Sequence, residues 1–133
     1  MATQDKQSSM LLNLTLPVLI ITATVTVFFI WKLQPSSAGA FAFAALWLNT
    51  PQIGLAVLLS VLKRGGKPLL PWCTVSIALV CAGLFFISDA IFWHPDAQSA
   101  IGVMFTPVLQ LLAFVVLAPL AWWIASRLSA NKD

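Results

Sequence analysis

Leu48-Asn49-Thr50-Pro51-Gln52 lies in the middle of an uncharged apolar run from Phe41 to Leu62. A run of that length reads as a membrane-spanning helix, which sets two carboxamides and a proline near the bilayer midplane. An unpartnered amide in hydrocarbon costs several kcal/mol, so this stretch needs polar partners from the rest of the chain.

The composition agrees with that reading. Of 133 residues, 60% are hydrophobic and 8% charged, against about half and about a quarter in soluble domains. The fold expected is an all-α integral membrane protein, a single four-helix transmembrane bundle with short loops. The formal charge of +3 comes from seven basic residues spread thinly along the chain. They make no basic face, and nucleic acid is not expected as a partner.

The spans are read at 11–31, 41–62, 69–93 and 100–124. Residues 1–10 read as a frayed polar tail, and Pro17 falls in the first two turns of the first span, where a missing N–H costs little. Lys6 before an apolar run, with Ala38-Gly39-Ala40 after it, also resembles a secretory signal. The run of 21 residues exceeds the 7 to 15 of a signal core, so a retained span is expected. Residues 32–40 form a connecting loop, and the second span stops at the basic turn Lys63-Arg64-Gly65-Gly66-Lys67-Pro68. His94-Pro95-Asp96 breaks the chain again, with Asp96 or Ser99 as N-cap of the fourth span.

Four spans place Lys6, Lys63, Arg64, Lys67, Arg127 and Lys132 on one side and Lys32 on the other. Basic residues are retained on the cytoplasmic face, so both termini are expected to be cytoplasmic in a cell inner membrane. Trp31 and Trp93 then mark the outer boundary and Trp72, Trp122 and Trp123 the inner one, with Trp47 somewhat deeper. Phe28-Phe29-Ile30 followed by Thr50-Pro51 is echoed by Phe85-Phe86-Ile87 followed by Thr106-Pro107, as if each hairpin were one copy of a parallel repeat.

Span midpoints fall near Ile21, Gln52, Cys81 and Leu112. Thr22, Asn49, Gln52 and Gln110 therefore lie close to one plane, and the spacings Asn49/Gln52 and Thr106/Gln110 put each pair on one helical face. An interhelical hydrogen-bond layer is expected from them. Pro51 and Pro107 should kink their helices and free the carbonyls around Trp47 and Val103, the kind of feature from which membrane solute sites are built. Glue between helices and a hydrated pathway are both compatible with this pattern.

Lys32, Asp89, His94 and Asp96 form a second candidate cluster at the outer face. Lys32 is the simplest partner for Asp89; a proton- or cation-handling carboxylate is the alternative. One histidine and two carboxylates without fixed spacing make a weak metal site, and no metal or cofactor is expected. Cys73 and Cys81 are separated by about 12 Å of helix, too far for a disulfide. The basic turn, Lys63, Arg64 and Lys67, faces lipid headgroups at about 1 kcal/mol per residue.

No phosphate loop, zinc motif or placed nucleophile is present, and an enzyme is disfavoured. The leading expectation is a non-catalytic protein acting through helix contacts in the bilayer, as an accessory subunit or an immunity-type protein that blocks another membrane-active protein. The alternative is a small transporter or channel formed by a homo-oligomer. The partners expected are membrane lipids with either another membrane protein or further copies of the chain.

Overall fold

The computed structural model describes residues 2–96 and 98–130, with side chains from Asp5 onward. Lys132 of the charge count lies outside them. Four helices account for the fold: α1 (Ala2–Lys32), α2 (Ala38–Arg64), α3 (Leu70–Ser88), extended by a π-helical turn (Asp89–Trp93), and α4 (Ser99–Ala130). Each is long and apolar enough to cross a membrane.

Helix ends follow local chemistry. Residues 2–10, expected to fray, continue α1 as helix, with Asp5 in the first turn where the helix dipole favours an acid. Gln34 adopts a left-handed φ of 49° just before Pro35 and ends the helix. Ser37 caps α2, its Oγ accepting from the N–H of Ala40 at 3.1 Å. At the other end Gly66 takes φ +64°, and the N–H of Lys67 reaches back to the carbonyl of Leu62 at 3.1 Å. Pro71 in its first turn starts α3, where it displaces no helical bond.

Around the bundle the neighbours run α1, α2, α4, α3, so α1 packs beside α3 and α2 beside α4. This corrects the repeat reading. A two-fold axis along the bundle relating the two hairpins would set α1 diagonal to α3, and here they are adjacent.

Two apolar clusters fill the interior. The larger, around Leu19, Leu59, Trp72 and Leu79, occupies the half nearer the basic turn; the smaller holds Ile30, Leu48, Ile87 and Val103. Thr22, Thr26, Asn49, Gln52, Thr106 and Gln110 are buried between them. Trp72, in the first turn of α3, is buried against the bundle, its ring centroid 6.4 Å from that of Phe114. The outside is hydrocarbon-like: no more than 28% of the most apolar window of any helix is buried within the bundle.

Candidate functional site

The mid-bundle layer is built mainly by α2 and α4. On α2, Leu48, Asn49, Gln52, Leu55 and Leu59 face inward. Trp47, Pro51, Gly54 and Leu58 turn to the side and line a lateral apolar cleft against α4. Both proline rings, Pro51 and Pro107, border this cleft of about 440 Å³, and both helices run through them unbroken.

Gln110 is the side chain that crosses. Its Nε2 donates to the backbone carbonyl of Leu79 at 2.8 Å, between α4 and α3. The approach depends on Gly83, one turn beyond Leu79: a Cβ there would overlap the Gln110 carboxamide, whose Cδ lies 2.7 Å from the position it would take. A second crossing bond joins α2 to α4, from Trp47 Nε1 to the carbonyl of Met104 at 2.7 Å. Met104 follows Val103, the residue whose carbonyl Pro107 deprives of its helical donor. Both of these interhelical bonds end on backbone carbonyls.

The threonines do not take part. Thr22 donates to the carbonyls of Val18 and Leu19 at 2.9 and 3.0 Å, and Thr26 to that of Thr22 at 2.8 Å. A hydroxyl on a helix finds an acceptor one turn back on its own backbone, which removes the incentive to reach across. Asn49 behaves alike, its Nδ2 donating to the carbonyl of Ala45 at 2.8 Å. Its Oδ1, and Oε1 of Gln52 one turn away, are buried without a donor. The expected layer is therefore corrected in one respect: its residues are buried together, but only Gln110 bonds across. α1 supplies apolar packing and self-satisfied hydroxyls.

Neither a known protein family, nor a curated protein, nor a solved structure matches this chain.

The second candidate cluster divides. The π-helical turn places residues five apart on one side, and His94 Nδ1 meets Asp89 Oδ1 at 3.1 Å. Lys32, expected beside Asp89, lies over the rings of Phe28 and Trp31, 5.5 and 5.6 Å from their centroids. Asp96 stays within its own turn, its Oδ1 accepting from the N–H of Gln98 at 2.7 Å and the hydroxyl of Ser99 at 3.2 Å. Ser99 opens α4 as a helical residue. Among the described residues no three His, Cys, Asp or Glu side chains converge. Lys63 and Arg64, in the last turn of α2, and Lys67, just beyond it, are all exposed.

Gly83 and Trp47 were not among the sequence candidates. A signal for the first exists: Gly83 and Gln110 stand nearly equal numbers of residues from the turn at Asp96, so an α3–α4 hairpin brings them level. The Trp47 bond had none, because it requires α2 to neighbour α4.

Proposed function

We infer that the chain is a multi-pass inner-membrane protein with both termini in the cytoplasm, and that it works without catalysis by binding another membrane protein through its lateral helix faces. An accessory subunit or an immunity-type protein fits this description. The carrying observation is the distribution of surface. The connections at 33–37, 65–69 and 94–98 are five residues each, and no more than 28% of any span's most apolar window is buried within the bundle. Nearly all the surface a partner can recognise is therefore lateral. The orientation is supported by Lys6, Lys63, Arg64, Lys67 and Arg127 at one end of the bundle against Lys32 at the other.

A second reading, a homo-oligomeric transporter or channel, rests on Asn49 Oδ1 and Gln52 Oε1. Two buried acceptors without a protein donor are the groups that a passing solute would meet. Native mass spectrometry of the particle extracted into nanodiscs separates the two. A stoichiometric complex with a different membrane protein is the expected result; a closed homo-oligomer with no other protein overturns it in favour of the pore.

A further inference from the structure

The lateral cleft reaches Leu58 on α2. One turn further along α2, Leu62 borders a second cleft of about 210 Å³, shared with Lys67, Trp72, Trp122, Ser126 and Ser129. Their walls touch, Trp72 of the second packing against Phe114 of the first. Leu58 and Leu62, one turn apart on α2, set the two clefts end to end as a seam, polar and basic at the end of the bundle that carries the turn and apolar at mid-depth.

We propose that this seam binds one anionic phospholipid, its phosphate at Lys67 and one acyl chain laid along the cleft past Pro51. The dimensions suit that occupant. From Leu62 past Leu58 to Pro51, beside the expected midplane, is eleven residues, about 16 Å of helix, close to the ~15 Å depth of one leaflet's hydrocarbon. The charge suits it as well. Lys63, Arg64 and Lys67 are exposed at the seam's polar end, and Arg127, stacked 5.2 Å over Trp123, stands on the last turns of α4.

The headgroup end discriminates further. Ser126 and Ser129 give their hydroxyl protons to the carbonyls of Trp123 and Ala125, at 2.7 and 3.1 Å. Their oxygens remain as acceptors, so a headgroup that carries hydroxyl donors beside its phosphate is the best match. Along the chain's path Gly54 has nothing within 4 Å of where a Cβ would stand, and this leaves the cleft clear. Trp47 pins α2 to Met104 at the far end, so the seam is formed before a lipid enters it.

The test uses the full chain in nanodiscs of equal phosphatidylglycerol and phosphatidylcholine content, with lipids that stay bound counted by native mass spectrometry. One retained phosphatidylglycerol per chain is expected. Lys67→Gln should lower its retention about fivefold, as expected for the loss of one basic residue near a headgroup. Gly54→Leu should abolish it with the charges untouched, and Lys6→Gln, on α1 and outside the lining of both clefts, should leave it unchanged. Equal retention of the two lipids overturns the proposal. So does undiminished retention in Gly54→Leu, or an equal loss in Lys67→Gln and Lys6→Gln, which would mark a diffuse surface charge. Thermal unfolding of each variant confirms that a loss is not misfolding.

Discussion

The two sides of the mid-bundle layer treat the same chemical group in opposite ways. On the α3–α4 side, the Gln110 carboxamide enters the notch at Gly83 and bonds the carbonyl of Leu79. On the α2 side, Asn49 turns back to its own helix, and the oxygens of Asn49 and Gln52 are buried without donors. Residue type does not separate them, since Gln52 and Gln110 are the same amino acid. What differs is the neighbour. For Gln110 that neighbour is Gly83, whose missing Cβ leaves room for the carboxamide to reach the α3 backbone.

The sharpest way to break the contrast is to fill the notch. Gly83→Ala should destabilise the bundle by about 2–3 kcal/mol, through overpacking and the lost hydrogen bond, read as a fall in unfolding midpoint in detergent. In a Gln110→Ala background the same change should cost far less, because the clash is then gone. Equal costs in both backgrounds would mean that Gly83 serves some other contact.

Gln110→Leu alone should cost about 1 kcal/mol, the ordinary worth of a polar bond inside a membrane bundle. Trp47→Phe keeps most of the ring and removes the donor to Met104, for a loss of about 0.5–1 kcal/mol. Denaturant titration of the purified protein resolves both. The smallest effects belong to the other side of the comparison: Gln52→Leu should change stability by less than about 0.5 kcal/mol or raise it, since no protein bond to its oxygen is lost and a buried unsatisfied acceptor disappears. A loss as large as that of Gln110→Leu would show that Gln52 has a partner in the membrane. His94→Gln, at an exposed hydrogen bond to Asp89, should likewise stay within about 0.5 kcal/mol.

Much of this architecture was legible in the sequence. Length and hydropathy alone place four spans, because a bilayer demands long apolar helices and the turns at Pro35, Gly66 and Pro95 interrupt them. The burial of Asn49, Gln52 and Gln110 was legible too, from spacing along a helical face. Their hydrogen-bond partners were not. Those depend on which helices are neighbours, and short loops are compatible with more than one order around the bundle. The Asp89–His94 pair was hidden for a different reason. On an α-helix residues five apart diverge, and only the π-helical turn brings them together.

The central claim is that the mid-bundle layer is packing between helices and not a path through them. It is tested most directly by placing a single cysteine at Gln52, with Cys73 and Cys81 replaced by alanine, and treating oriented vesicles with a charged, membrane-impermeant thiol reagent from each face. A cysteine at the exposed loop position Ser36 serves as the reactive control. No labelling of Gln52→Cys from either side is the predicted result. Labelling from either face, at a rate approaching that of the loop control, would contradict the account and make the layer part of a hydrated pathway.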